Sequence, residues 1–376
     1  MVSFNNDAET SHGKVQGENA PTSEAAAFAY GAALNALLAR GSDRNLLIGD
    51  ATAVFWPRTV DPAAEVEIED AFAASFQEGD VRDSENASGK ALRERVTSLA
   101  QGKVPDGTAL DPAARVFVLG LAPNAARIAI RFRHVDALGS LARRIRRFWE
   151  ECAISPSPFR RGDAERMPRP PSLLYDIAAL RERKNIPPNL AGSLMQAVLT
   201  GLPYPATLLP AVIARLRAEG DPDRKRYGDV DGRRAALIRA VLIRNLRREI
   251  PMALSETEDN VAYLLGRLFG AYVYAERSYQ ERGASLRSKY MGSASATPAK
   301  VFPILMRGYV HNLNALTKAG GNKTGSGIRA EKAVAAITAL MPGDALPATL
   351  PLEDQGRFFI GFYHQISAFY TKAEDA

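Results

Sequence analysis

The sequence predicts an α+β fold, in which a mixed α/β domain is followed by an all-helical region that ends in a helical bundle. Runs rich in β-branched and aromatic residues, typical of strands, occur early in the chain. A stretch rich in proline and arginine then interrupts it, and the segments after that stretch have the apolar spacing of helices. We therefore divide the chain into a mixed α/β domain at 1–154, a linker at 155–171, a helical middle region at 172–231 and a helical bundle at 232–376.

The first segments predict a strand, a helix and a second strand. VSFN at 2–5 has strand composition, and a helix is expected from about Pro21 to Arg40, capped by Thr22 or Ser23. LLIGDATAVFWP at 46–57 has the content of one strand that stops at its proline. Asp50 would then lie at the centre of a strand.

The rest of the first domain predicts a hairpin followed by a helix. Residues 61–107 are acidic, then rich in glycine and serine, and we expect two weak helices at most in a variable insertion. The apolar runs 116–122 and 127–133 are joined by Pro123-Asn124, whose turn chemistry predicts a β-hairpin. From Val135 to Cys152, apolar residues recur at helical spacing.

Helix signals continue through the middle region and the bundle. Ser255 and Glu258 form an S-x-x-E capping box, which predicts a helix from Ser255 to about Arg282. Thr297 is expected to cap a helix, while the glycine-rich run 320–327 is expected to be a flexible loop. The remaining helices are expected near 172–184, 189–200, 205–219, 231–249, 328–341 and 353–373.

Composition excludes several classes of protein. Of the 376 residues, 46% are hydrophobic and 24% charged, as in globular proteins, and no apolar run is long enough to span a membrane. The N-terminus lacks the pattern of a signal peptide, so we expect a cytoplasmic protein. A single cysteine, Cys152, excludes an internal disulfide and multi-cysteine metal clusters.

The net charge of +6 is concentrated in two arginine-rich windows. The first lies at 127–147 and the second at 224–248. At ~100° per residue, five arginines of the second window share one side of a helix, opposite an apolar side. We call this set the arginine face: Arg233, Arg234, Arg244, Arg247 and Arg248. Two interpretations fit it, contacts to phosphate or pairing with acids elsewhere in the fold.

The sequence offers little evidence of catalysis. The four histidines are too far apart for a helix-spaced metal pair, and no nucleophile has a recognisable base beside it. Asp50, followed by Glu65, Glu67, Glu69 and Asp70, could form the metal site of a nuclease, although residues 61–70 look more like a solvated acidic loop. We therefore predict a protein that is not an enzyme and has no cofactor. A metal-dependent nuclease and a scaffold that contacts only proteins remain the alternatives.

Several long strings resemble one family. LRREIPMALSETEDNVAYLLGRLFG at 246–270, RSKYMGSASATPAKVFP at 287–303 and LPLEDQGRFFIGFYHQ at 350–365 look like C-terminal signatures of the Csd-family large subunit of the subtype I-C CRISPR surveillance complex, Cascade. VLGLAPNAARIAIRF at 118–132 and IPPNLAGSLMQAVLTGLPYP at 186–205 resemble the same family in the same order. Family members begin upstream of a VSFN-like strand, so the resemblance also predicts a further N-terminal portion that this chain lacks.

The resemblance implies a non-catalytic role in guided DNA binding and antiviral defence. The partners it implies are crRNA, the displaced strand of the target DNA, other Cascade subunits and a recruited helicase-nuclease, with no membrane. The family's C-terminal bundle corresponds to the small subunit of other subtypes, and Met252 is the candidate start of a separate internal product. From the basic residues and this resemblance together, we assign nucleic-acid contacts to Arg143, Arg144, Arg146, Arg147, Arg233, Arg244, Arg247, Arg248, Arg287, Lys289, Lys300, Arg307, Lys323 and Arg329.

Overall fold

The computed structural model describes most of the chain and confirms the α+β class. The predicted strand at 2–5 lies outside the described residues. No helix in the described ranges combines the length and apolar character needed to cross a bilayer. The described ranges are 13–14, 22–39, 41–42, 44–59, 61–76, 85–124, 127–160, 166–220, 229–280 and 285–371.

Within the described residues, four antiparallel strands form one sheet in chain order. They are β1 (Asn45–Ile48), β2 (Ala51–Arg58), β3 (Arg115–Asn124) and β4 (Arg127–Ala137). The predicted hairpin is confirmed as β3 and β4. The expected single strand at 46–57 is wrong, because the chain turns back between β1 and β2 at Gly49 and Asp50. Gly49 has a φ of +62°, a conformation that favours glycine.

Three helices belong to the first part of the domain. They are α1 (Glu24–Leu38), α2 (Pro62–Ala74) and α3 (Glu85–Ala100). Ser23 caps α1 by accepting a hydrogen bond from the Ala26 N–H at 3.2 Å, as predicted. The expected acidic loop at 61–70 is wrong, because Asp61 caps α2 in the same way and the apolar residues of α2 pack into the core.

The helical middle region begins after α4, which runs Leu138–Cys152. Its helices are α5 (Pro170–Ile177), α6 (Pro188–Thr200) and α7 (Leu208–Ala218), and α8 (Val230–Leu246) leads from it into the bundle. The expected helix at 172–184 ends at residue 177 and is followed by two short 3₁₀ turns. α4 packs against both α6 and α8, so the core continues from the sheet into the helices. The domain division itself stays a prediction.

In the described part of the chain, five helices make the bundle. They are α9 (Val261–Tyr279), α10 (Leu286–Ala296), α11 (Pro298–Ala319), α12 (Gly321–Leu340) and α13 (Leu352–Tyr370). α9 is the central helix and packs against the other four. α9 and α13 approach most closely where Gly266 lies against the backbone of Phe358 and Gly361 lies against the backbone of Tyr263. Glycine allows this approach because it has no Cβ.

Three predictions for the bundle differ from the structure. The helix does not begin at Ser255, because Asn260 caps α9 by accepting from the Tyr263 N–H at 3.1 Å. Ser255 instead accepts from the Glu258 N–H in a turn before the helix. The glycine-rich run at 320–327 is not a loop, since it forms the first turns of α12. Thr297 precedes α11 without donating or accepting a side-chain cap bond to it.

A buried histidine makes the stability of the bundle depend on pH. His364 lies between α9 and α13, 1% exposed, with Nδ1 3.0 Å from the Tyr263 hydroxyl. Burial lowers the pKa of His364 to about 4, from 6.5 in an exposed chain. Between these two pH values, the unfolded chain therefore binds a proton at His364 and the folded chain does not. The free energy of unfolding should fall as pH falls from about 6.5 to 4, by about 3 kcal/mol over the full window.

We expect His364→Gln to reduce this pH dependence. Glutamine has no charged form at these pH values, so only the contribution of the other titratable groups should remain. Urea unfolding of both proteins at about pH 7.5 and pH 5 would measure the difference. An equal loss of stability on acidification in the two proteins would contradict the assignment.

Candidate nucleic-acid interface

Most of the arginine face of α8 is directed into the protein. Arg233 donates two hydrogen bonds to the carboxylate of Asp176, at 2.7 and 2.9 Å. Arg234 is 0% exposed and bonds to Glu219 and to the main-chain oxygen of Asp176. Both acids lie on elements that precede α8 in the chain. These two guanidinium groups therefore stabilise the packing of α8.

Arg244 lies in a second buried network, between α4 and α8. Its guanidinium contacts both carboxylate oxygens of Glu151, with the closest pair 2.7 Å apart. Tyr204 donates its hydroxyl to Glu151 at 2.5 Å, and its ring lies 4.0 Å beneath Arg244. Burial raises the pKa of Tyr204 well above its usual value. Arg147 adds a further bond to Glu151 from the protein surface, at 2.8 Å.

Most of the arginine face has partners within the protein, and its predicted phosphate contacts stay a prediction. Arg233 and Arg244 are held in internal ion pairs, and Arg248 bonds to Glu353 of α13 at 2.7 Å. Arg247 ends α8 in a left-handed conformation, with φ 53°, and its side chain is exposed. The alternative interpretation, pairing with acids elsewhere in the fold, is confirmed for Arg233, Arg234, Arg244 and Arg248.

The first arginine window is also largely paired. Arg144 bonds to Asp136 at 2.6 Å and to the main-chain oxygen of Leu199. Arg146 and Arg147 pair with the glutamates one turn further along α4, Glu150 and Glu151. Both glutamates lie just beyond residue 147, where the arginine-rich window ends. Arg143 is exposed, with a hydrogen bond to Ser140.

Two of the predicted bundle cations have structural partners. Arg287 is buried against Asp231, with the closest atoms 2.6 Å apart, and this ion pair joins α10 to α8. Arg329 donates to the main-chain oxygen of Phe369 at 3.0 Å, near the C-terminal end of α13. Cations in that position interact favourably with the helix dipole. Lys323 is half-buried near the start of α12.

The other predicted contacts of the bundle, Lys289, Lys300 and Arg307, face solvent. α11 carries what we call the cationic stripe, Lys300, Arg307 and Lys318, three exposed side chains with no ion pair among the described residues. At ~100° per residue they lie within about 20° of one another around the helix. Lys289 of the neighbouring α10 is also exposed. Lys318 was not among the predicted contacts, although its spacing of eleven residues from Arg307 could have revealed it.

The cationic stripe lies in a segment without acids. From Arg282 to Ala330 the chain has eight lysines and arginines but no aspartate or glutamate. The segment includes the whole of α10 and α11. Neither helix therefore supplies a carboxylate of its own, and the stripe keeps an uncompensated positive charge along the solvent side of α11.

A family model for the CRISPR-associated protein Csd1 matches residues 1–370. The chain belongs to the Csd1 family of CRISPR-associated proteins. The Csd-family resemblance is thereby confirmed, and Csd1 membership makes the chain a component of a Cascade complex with other Cas subunits. Among curated proteins, none matches it.

The carboxylates that a metal-dependent nuclease would use do not form one metal site in this Csd1-family chain. Asp50 lies in the β1–β2 turn and accepts from Arg131 at 2.9 Å. Glu65 and Glu69 both pair with Arg44, and burial raises the pKa of Glu69. Within the described ranges no group of three or more His, Cys, Asp or Glu side chains is placed to hold a metal ion.

Met252 lies in the segment between α8 and α9. It is about half exposed, and its carbonyl accepts from the Ser155 N–H at 2.7 Å. A product that began there would contain α9 to α13, the five helices of the bundle. Internal initiation at this methionine stays a prediction.

Proposed function

We propose that this Csd1-family chain is the non-catalytic large subunit of a type I-C Cascade. In this role it supports crRNA-guided binding of target DNA, stabilises the R-loop by holding the displaced strand, and presents the open DNA to the recruited helicase-nuclease. Base pairing with the guide reads the sequence, while the protein holds the nucleic-acid backbone. The chain works in antiviral defence in the cytoplasm.

The observation that carries this proposal is the cationic stripe of α11 within an acid-free segment. Lys300 and Lys318 are 18 residues apart, which is ~27 Å along a helix or about eight phosphate intervals of one DNA strand. Contacts of this kind hold a strand without reading its sequence. That is the requirement for a displaced strand whose sequence changes with every target.

Ion pairs within the protein limit which cations the proposal uses. Acids of the protein itself pair with four residues of the arginine face and with Arg287; the four are Arg233, Arg234, Arg244 and Arg248. Lys289, Lys300, Arg307 and Lys318 remain as exposed contacts in the bundle, and Arg143 and Arg247 outside it. Replacing Arg244 would test the stability of the fold and not its affinity for DNA.

The triple variant Lys300→Ala, Arg307→Ala and Lys318→Ala is expected to weaken binding of single-stranded DNA equally for all sequences. Loss of three phosphate contacts should make the slope of log affinity against log salt less negative by about 2. Fluorescence anisotropy with labelled oligonucleotides of two unrelated sequences, over a series of salt concentrations, measures both quantities.

The matched control removes the same charge elsewhere. Lys90→Ala, Lys103→Ala and Lys184→Ala lowers the net charge equally at three exposed positions of the first two regions. This variant should keep its affinity and its salt slope. Equal weakening in both triples would mean that only net charge matters, and binding that does not depend on salt would favour a scaffold that contacts only proteins.

A further inference from the structure

The first helix is apolar but lies on the surface. α1 has the sequence EAAAFAYGAALNALL, whose one charged residue is Glu24, and none of its residues is buried. Phe28 is 80% exposed and Tyr30 54%. A helix with this composition is normally covered, because exposed apolar area is unfavourable in water.

α1 and the outer face of the sheet enclose a groove of about 940 Å³, which we call the α1 groove. Tyr30, Leu34 and Leu37 of α1 line one side, and Trp56 and Leu119 of the sheet line the other. The Trp56 ring stacks on Phe117 of the next strand, with centroids 5.4 Å apart. The floor of the α1 groove is therefore apolar and includes a stacked aromatic ring.

Three arginines without an acid partner among the described residues lie beside the floor of the α1 groove. Arg58 and Arg115 are directly opposite each other on β2 and β3, in the cross-strand row next to Trp56 and Phe117. Arg133 of β4 is opposite Leu119. All three are exposed and have no ion pair within the described ranges. Like charges directly opposite each other destabilise a sheet unless acids compensate them.

We propose that the α1 groove is the docking site for another protein subunit, which inserts apolar side chains flanked by aspartate or glutamate. Apolar anchors would fill the space between Leu34, Leu37 and Trp56 and so cover α1. Carboxylates beside them would compensate Arg58, Arg115 and Arg133. A nucleic acid fits this surface less well, because α1 has no cation to meet a phosphate.

Because a Csd1-family chain belongs to a Cascade complex, the partner would be another Cas subunit of that complex. The inference goes beyond the proposed function, since it concerns assembly at the sheet and not the binding of DNA at α11. Interfaces of this type combine a buried apolar centre with a charged rim, and the rim mainly affects the rate of association.

The double variant Leu34→Glu and Leu37→Glu tests the site. The full chain would be compared with its variants for binding to the other Cas subunits, co-expressed and purified without it, by biolayer interferometry. We expect affinity to fall at least tenfold, while the thermal midpoint stays unchanged because α1 contributes no buried side chain. Arg58→Glu with Arg133→Glu should slow association and remove its salt dependence.

The control variant is Ala32→Glu with Asn35→Glu, which has the same spacing on the side of α1 turned away from the groove. It should bind normally. Unchanged binding of the Leu34/Leu37 variant, or an equal loss in the control, would overturn the proposal. The proposal would also be wrong if light scattering showed that the chain forms a dimer that Leu34→Glu disrupts. The same holds if the Leu34/Leu37 variant lost only its binding to oligonucleotides. The DNA-binding assay of the α11 variants is separate, so failure of one proposal does not imply failure of the other.

Discussion

Alanine at Gly266 or Gly361 should strongly destabilise the helical bundle. A Cβ at residue 266 would lie 1.9 Å from the main-chain oxygen of Phe358, and one at residue 361 would lie 2.1 Å from that of Tyr263. Both obstacles are backbone atoms of a packed helix, so no side chain can rotate away. We expect each substitution to cost about 3 kcal/mol or more, the upper range for overpacking in a core.

Chemical unfolding followed by circular dichroism would measure this cost. Gly308→Ala is the matched control, because Gly308 also lies within a bundle helix but has no atom within 4 Å of the position of a Cβ. There alanine should raise stability by up to about 1 kcal/mol through its helix propensity. Similar effects at Gly266 and Gly308 would show that α9 and α13 do not approach each other as described.

Glu151→Ala is expected to reduce the stability of the whole fold by about 3–5 kcal/mol. The substitution removes the carboxylate that Arg244 and Tyr204 share, and Arg244 is 7% exposed. A guanidinium without its counter-charge is costly in the interior because water cannot reach it. The loss should appear as a lower midpoint in thermal or urea unfolding.

The neighbouring residue provides the control for this prediction. Glu150 is also a glutamate of α4 that pairs with an arginine one turn earlier, but its side chain is 63% exposed. Exposed pairs of this kind contribute little, so Glu150→Ala should change the unfolding free energy by less than about 1 kcal/mol. If both variants unfolded at the same midpoint, the Glu151 network would not link α4 to α8.

Local patterns predicted most of the secondary structure. The β3–β4 hairpin follows from two apolar runs and a turn, and the helix boundaries from prolines and apolar spacing. Predictions were wrong where a local signal competed with distant packing. Asn260 caps α9 in place of the predicted Ser255, and residues 321–327 are helical, with Gly327 packed against Leu316 of α11.

The candidate site was harder to predict than the fold. Helical spacing predicted one arginine face, but the helix ends at Leu246, before Arg247 and Arg248, and spacing within one helix does not reveal what faces its side chains. The partners of Arg233 and Arg244 are Asp176 and Glu151, on helices far earlier in the chain. The cationic stripe could be predicted more directly, because the lack of acids from Arg282 to Ala330 is a property of the sequence itself.

The central position of α9 also affects how the protein is made. Every residue from Ala262 to Glu276 is buried in the finished fold, much of it beneath α13, the last helix of the structure. α9 ends at Tyr279 and α13 begins at Leu352, about seventy residues later, so α9 is synthesised well before the helix that it packs against most. Truncated mRNAs that end before α13 would thus yield chains with a large exposed apolar surface, which chaperones and proteases recognise.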